Sequence, residues 1–428
     1  MYRKIVQRLA AMFAVAMVCF VGVAEAQNIE TSPLSRYGYG SLVDPSPVSY
    51  RGMGGVGVGL RQDGMINFKN PAAFSVVDSL SFVFDIALTS NYKMFRENQL
   101  KKSTFQANID YLAFQMSLFN SVGLSLGVIP YSRVGYLAQT SGDIEGFPNA
   151  TYKQTFKGEG SLQNAYMGVG FKLFEKLSLG AKVNYLFGST IHEVLSQPNS
   201  SLINTRFVRE TWHTSTWSAA FGAQYHHRTK EWESVLGATF SPSLGHRPKM
   251  VLFEDRDFGK VLTPDVTTKE ESYVGKLPME IGVGGSFNYK NKLLTALDVK
   301  YTNWESVPNL FEKQNVSYKD AWQVALGASY TPNPFSRTYS DNIVYRAGLN
   351  YATPYIQHHK WGQSSTLGLS LGLGLPIYVN DERASLLNLS LEYVKSLNDK
   401  QAILKEDAIK LSVSINFSET WFRKLKIY

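Results

Sequence analysis

The chain is poor in cysteine: it has one among 428 residues, Cys19, close to its start. That excludes a disulfide framework and a cysteine-ligated metal site. Charge is sparse as well, with 18% Asp, Glu, Lys and Arg against roughly 25% in ordinary soluble domains. The formal net charge of +8 is mild and scattered along the chain, which gives no basic stripe for nucleic acid. Past residue 23 no apolar run approaches the roughly 20 residues that a membrane-crossing helix needs, so a polytopic helical protein is excluded. What the chain does have is 34 glycines and 13% aromatic residues, in a length sufficient for one large sheet.

The first residues read as an address. Arg3, Lys4 and Arg8 precede a 15-residue apolar run from Leu9 to Val23, and Ala24-Glu25-Ala26 supplies small residues on either side of Glu25. This is the pattern of a secretory leader cleaved before Gln27, so residues 1–26 are expected to be a signal peptide.

From residue 80 the dominant pattern is an apolar residue at every second position, the period of a strand whose two faces meet different surroundings. Phe82, Phe84, Ile86 and Leu88 alternate with Ser81, Asp85 and Thr89; Leu367, Leu369, Leu371 and Leu373 alternate with Gly368, Ser370 and Gly372; Leu411, Val413 and Ile415 alternate with Ser412, Ser414 and Asn416. Strands are expected over 80–90, 105–118, 122–136, 161–174, 177–188, 206–225, 232–241, 273–289, 292–304, 318–330, 342–352, 365–378, 384–395 and 408–417, fourteen in all. The connections between them alternate: 14, 24, 17, 31, 13, 12 and 12 residues on one side, and 3, 2, 6, 2, 11 and 5 on the other. Outer-membrane barrels have an even strand number, short periplasmic turns and long extracellular loops. Hydrocarbon offers an edge strand no hydrogen-bond partner, so a spanning sheet must close on itself. A soluble sandwich also alternates, but its polar faces carry many charges and it does not explain connections long on one side only.

The expectation is therefore an all-β fold, a 14-stranded antiparallel transmembrane β-barrel over residues 80–417 with both ends periplasmic. A basic periplasmic tail over 418–428 carries Arg423, Lys424 and Lys426. Tyr131, Tyr136, Tyr289, Trp304, Tyr330 and Trp361 fall near strand ends and fit aromatic girdles, while Lys172, Lys182, Lys300 and Lys410 fall on the inward, polar face. Residues 27–79 lack alternation and are rich in glycine and proline, including Pro33, Pro45, Pro47, Gly52, Gly54 and Gly55. Two readings fit this segment: a compact plug in the lumen, or a flexible periplasmic leader.

The stretch Arg51-Gly52-Met53-Gly54-Gly55-Val56-Gly57, followed by Asn70-Pro71-Ala72, resembles the hatch of the FadL/TodX family of outer-membrane transporters for hydrophobic compounds. Further matches run along the barrel: Leu277-Pro278-Met279-Glu280, Asp298 through Tyr301 to Trp304, Gly327 to Tyr330, and Tyr345-Arg346-Ala347-Gly348. The ending Asn416-Phe417-Ser418-Glu419-Thr420-Trp421-Phe422 also looks like a branch of that family, so the resemblance covers roughly residues 50 to 417.

The resemblance implies a bacterial outer-membrane channel for hydrophobic small molecules or lipids, such as long-chain fatty acids. They diffuse past the hatch and leave sideways into the membrane through a gap at a kinked third strand. On that reading Asn70, Pro71, Ala72 and Phe74 belong to the hatch and the ligand path, and Pro130 and Gly135 form the kink and lateral opening. No cofactor, no catalysis and no nucleic acid are expected. The alternative is the same fold kept as a non-transporting subunit of a multi-protein complex, contacting other outer-membrane proteins. Two departures put the ligand-collecting site in question: Ser35-Arg36-Tyr37-Gly38-Tyr39-Gly40 is extra sequence ahead of the hatch, and the connections are short for a helical collecting groove.

Several motifs are decoys. Gly52 to Gly57 satisfies GxGxxG, but Asp44-Pro45-Ser46-Pro47 just before it cannot form the buried strand that a dinucleotide site requires. Gly123-Leu124-Ser125-Leu126-Gly127 and Gly368-Leu369-Ser370-Leu371-Gly372 match GxSxG, yet each continues a strand instead of turning into a helix. In His226-His227 and His358-His359, strand neighbours point to opposite faces, so neither pair offers a metal two ligands.

Overall fold

The computed structural model describes residues 32–420 except 77–80, 98–99, 120, 148, 201–202, 259–264, 310–315, 335, 359–363, 381–382 and 398–403. The leader, most of the basic tail, Trp361 and His359 lie outside the described residues. The barrel strands are β1 (Ser81–Glu97), β2 (Leu100–Phe119), β3 (Val122–Asp143), β4 (Thr151–Phe174), β5 (Leu177–Pro198), β6 (Arg206–Arg228), β7 (Trp232–Ser241), β8 (Met279–Tyr289), β9 (Leu293–Asn303), β10 (Ala321–Tyr330), β11 (Val344–Ala352), β12 (Thr366–Asn380), β13 (Arg383–Ser396) and β14 (Leu404–Thr420). Each is antiparallel to the next, and β14 pairs back onto β1 from Ser81 opposite Thr420 to Glu97 opposite Leu404. The result is a closed 14-stranded barrel.

The two faces follow the alternation. On β14, Leu411 is 40% exposed on the outer face while Ser412 beside it is 0% exposed inside. Five consecutive strands, β7 to β11, have only 9 to 11 residues, the length that crosses hydrocarbon at a barrel tilt. The first six strands have 17 to 24, so one side of the wall stands above the bilayer. Two further strands, Lys249–Asp255 and Val266–Ser272, extend this tall side from the upper half of β6.

Residues 91–97, 100–104, 137–143, 151–160 and 189–198, expected as connections, therefore continue as strand. Above the lipid both faces meet water or protein, so the contrast between faces fades. Gly160 (φ 131°) and Gly188 (φ 147°) fall in this stretch, and the pairing of β4 with β5 runs through both without a register shift. Three girdle expectations fail: Trp304 is 1% exposed, Tyr136 is 4% exposed, and Tyr131 packs inward on Tyr39. Trp304 and Tyr131 meet Tyr39 of the N-terminal segment, and Tyr136 stacks on His192 of β5. Tyr289 and Tyr330 do stand outward at strand ends, 41% and 48% exposed.

Residues 32–76 run inside the ring. They comprise a 3₁₀ turn (Pro33–Arg36), a two-residue strand (Ser41–Leu42), a short helix α1 (Val48–Arg51) and a second 3₁₀ turn (Pro71–Ser75). Their apolar side chains Val48, Ile66, Phe68 and Phe74 form one core with Val83, Tyr111 and Tyr166 of the wall, and Tyr50, Met53, Val56 and Leu60 form another with Leu294 and Ala296.

Candidate functional site: hatch, lumen and seam

The hatch backbone lies directly on inward glycines of the wall. A Cβ on Gly180 would meet Pro71, one on Gly222 would meet Asn70, one on Gly327 would meet Met53, and one on Gly348 would meet Gly54, all within 2.3 Å. Only a residue without a side chain permits this approach. Polar anchors complete the seat. Asp298 of β9 accepts from the Gly57 and Val58 N–H groups at 2.6 and 2.8 Å. Gln224 of β6 donates to Val58 O and Leu60 O at 3.1 and 3.0 Å.

Asn70 caps the turn at Pro71 by accepting from Ala72 N at 3.0 Å, and donates to Val58 O at 2.8 Å and Ala223 O at 3.3 Å. Asn70, Ala72 and Phe74 are each 0% exposed, and Pro71 is buried beside them. None of the four lines any of the described chambers. Asn70 joins hatch and wall through Val58 O and Ala223 O.

Three chambers above the hatch, of 370, 300 and 140 Å³, share Leu42 and Asp44 as a common partition. The largest is lined by Asn164, Lys182, Asn184, Glu280 and Lys300 as well as by Ile129, Pro130 and Leu277. Lys182 donates to Phe68 O at 2.8 Å, Lys300 pairs with Glu280 at 2.9 Å and Lys410 lies 3.8 Å from Glu392. Lys172, also expected inside, is exposed near the short turn that ends β4.

Above the chambers the mouth is occupied by the chain's own aromatics. Tyr37 packs with Trp304, Val307, Tyr318, Tyr355 and Ile356. Tyr39 donates to Lys276 O at 3.1 Å, and Tyr355 donates to Gly40 O. Arg36 lies 4.7 Å over the Phe156 ring. Burial pushes the Tyr39 and Tyr355 phenols above the ordinary tyrosine range and holds His246, beside Tyr39, below the ordinary histidine range. Two small sheets, Gly245–His246 with Gly275–Lys276 and Val316–Tyr318 with Ile356–His358, accompany this cluster.

The wall has a seam. β2 and β3 pair from Phe119 opposite Val122 only as far as Leu112 opposite Val128. Beyond that point β3 stays on β4, with a register shift between Pro130 and Ser132, and its other edge is taken by the hatch. Ser41 and Leu42 stand opposite Arg133 and Ser132, and Val43 N donates to Tyr131 O at 3.0 Å. Gly135 O accepts from Ser32 N at 2.9 Å and Gly135 N donates to Ser35 Oγ at 3.0 Å. Pro130 thus sits at the irregularity and on the largest chamber, and Gly135 sits under the start of the described chain.

Asp110, at the same place, escaped the sequence reading. It is the extra residue where β1 and β2 shift register, between Ala87 opposite Tyr111 and Leu88 opposite Ile109. Its carboxylate holds Arg51 of α1 at 2.5 Å and Arg133 of β3 at 3.1 Å. Burial opposes the charge of Arg51, but Asp110, foremost among its anionic neighbours, holds it more firmly protonated than usual. A signal was present: outward residues are odd-numbered at Phe105 and Ile109 and even-numbered at Leu112, Phe114 and Met116, and such a change of parity marks a bulge.

Ser125 and Ser370 of the GxSxG matches serve the fold, Ser125 by donating to Phe114 O and Ser370 by accepting from Gly54 N. Among the described residues no cluster of His, Cys, Asp and Glu could hold a metal ion.

A crystal structure of a Pseudomonas aeruginosa FadL homologue matches with a TM-score of 0.60 at 12% identity, over 88% of this chain and 99% of that one. The Ralstonia pickettii toluene transporter TbuX matches with 0.60 at 12% identity, over 87% and 98%. The P. putida toluene transporter TodX matches with 0.57 at 14% identity, over 89% and 100%. These structural neighbours are transport channels, not enzymes, and the fold is FadL-like. No curated protein matches the sequence. A family model described as BamG matches residues 1–428, the whole of the sequence, and the chain belongs to the BamG family.

Proposed function

We propose that this protein is a plugged, FadL-fold barrel of the bacterial outer membrane that serves as a subunit of a multi-protein outer-membrane complex. The observation that carries this reading is the seating of the hatch: its backbone rests on wall glycines from β5 to β11, and the chambers above it have a mixed lining in which charged side chains stand among apolar ones. Pockets for small molecules are mostly apolar and of about 300–1,000 Å³. In the 370 Å³ chamber charged Lys182, Glu280 and Lys300 stand beside Ile129, Pro130 and Leu277, so an alkyl chain there would find apolar surroundings, worth about 0.8 kcal/mol per CH₂, on only part of its length. The name of the matching family hints at a complex subunit. Extraction from native membranes in a mild detergent tests the reading. Co-purification of other outer-membrane proteins in fixed stoichiometry is expected, and a lone monomer would end it.

One observation favours a second reading, passive passage of hydrophobic small molecules or lipids with sideways exit. The β2–β3 ladder stops at Leu112 and Val128, with Pro130 just above, and the structural neighbours include toluene transporters. A monomer carrying a stoichiometric hydrophobic compound, found by mass spectrometry of the native preparation, would support it.

A further inference from the structure

We infer that Asp110 is a latch that keeps the seam between β2 and β3 closed by tying both of its sides to the hatch. The β2–β3 backbone ladder ends at Leu112 and Val128; above it the hatch strand Ser41–Leu42 pairs with the β3 edge, and the link from there across to β2 falls to side chains. Asp110, pushed inward by its bulge, meets Arg133 from the β3 side through Oδ1 at 3.1 Å and Arg51 from the hatch through Oδ2 at 2.5 Å. Thr89 of β1 donates to Oδ2 at 3.2 Å, and Arg51 Nη1 donates to Thr89 Oγ1 at 3.1 Å. The Asp110 side chain is 1% exposed and that of Arg51 9%.

One carboxylate is therefore shared by two guanidinium groups in a buried setting. Its removal leaves two cations facing each other with the cost of burial uncompensated, the situation in which breaking a buried pair is most disruptive. A 140 Å³ chamber beside the triad, lined also by Lys93, Glu392 and Lys410, gives the freed side chains room to move. The carboxylates nearest to it are already engaged, Glu406 with Lys93 and Glu392 with Lys410 at 3.8 Å each and Asp44 with Lys69 at 3.0 Å. The β3 arm and α1 then separate from β2, and the lumen opens at the wall. This inference does not depend on which reading of the protein's function holds.

The test uses the full-length protein in liposomes and planar bilayers. The wild type is expected to be tight to small sugars and to pass little ion current, and Asp110→Asn to raise both by tenfold or more. The opening is located by maleimide labelling of two buried positions: Ser132→Cys at the seam, 0% exposed, and Ala72→Cys at the far anchor, 0% exposed. In the Asp110→Asn background the first is expected to label at least tenfold faster and the second at an unchanged rate. If Asp110→Asn does not assemble, Arg133→Gln, which leaves Arg51 its partner, carries the same readouts. An assembled variant as tight as the wild type overturns the inference. So does equal acceleration at both cysteines, which would mean general loosening of the hatch.

Discussion

A methyl group on Gly237 of β7 would stand 2.1 Å from the main-chain oxygen of Val58 in the hatch. That oxygen also accepts from Asn70 Nδ2 and Gln224 Nε2, so it cannot retreat without abandoning both. Overpacking of this kind costs about 1–3 kcal/mol. Gly237→Ala is expected to lower the unfolding midpoint of the purified barrel accordingly. Gly245→Ala, whose nearest neighbour lies 3.9 Å away, should leave it nearly unchanged. Equal midpoints for the two would mean that the hatch does not rest on this wall.

The same wall predicts opposite tolerances on its two faces. Leu371 of β12 is 55% exposed on the outside, whereas Asn164 of β4 lines the 370 Å³ chamber. An arginine facing lipid near the midplane costs about 2–4 kcal/mol, while lumen substitutions cost far less. Leu371→Arg should impair insertion or stability by that amount, and Asn164→Arg should be accepted. Folding titrations in lipid vesicles measure both.

The barrel was legible in the sequence because the period of two holds along most of each strand, with the bulge at Asp110 and the shift at Pro130 as interruptions. The strand ends at the short turns were legible because tight turns leave little freedom: 232–241 is the same strand in both descriptions, and 122 and 177 open theirs. The upper wall was hidden, since Tyr152 to Phe156 and Ile191 to Leu195 meet no lipid and show no clean contrast between faces. The site was harder still. Gln224 and Asp298 occupy inward positions, and alternation identifies such positions without showing whether water or a hatch covers them. Arg51 was hidden among glycines, although a charge in so tight a segment asks for a counter-ion, and the parity change at Asp110 pointed to where it stands.

Closure of the mouth rests on Trp304. Its ring centroid lies 4.4 Å from that of Tyr355 and 5.7 Å from that of Tyr39, and it is 1% exposed. Truncation of a buried tryptophan costs about 3–5 kcal/mol, but here the loss falls on loops and on the segment from Pro33 to Gly40, with the barrel ladders untouched. Trp304→Ala is expected to expose Arg36 to trypsin while the barrel keeps its strand content by circular dichroism. An unchanged cleavage rate at Arg36 would show that the mouth is held by other contacts.

Acid should act on the hatch at one identifiable place. Lys69 Nζ lies 3.0 Å from Asp44 Oδ1 and donates to Gly55 O at 2.5 Å, while Ser46 Oγ donates to Asp44 Oδ2 at 2.9 Å. Burial alone would raise the Asp44 carboxyl, but Lys69 and these hydrogen bonds outweigh it and hold the group below its ordinary 3.8. A depressed carboxyl contributes stability that is complete above the unfolded value, about 3.9, and is lost as pH falls through the lower folded value. The Asp44 side chain is 40% exposed to the lumen, so the screened pair contributes no more than about 1 kcal/mol. Hydrogen exchange at Gly55 should therefore be flat, after correction for intrinsic rates, from pH 9 to about 5, and should show lost protection only below about 4. Asp44→Asn should remove that acid limb, and protection lost already near neutral pH would assign the titration to another group.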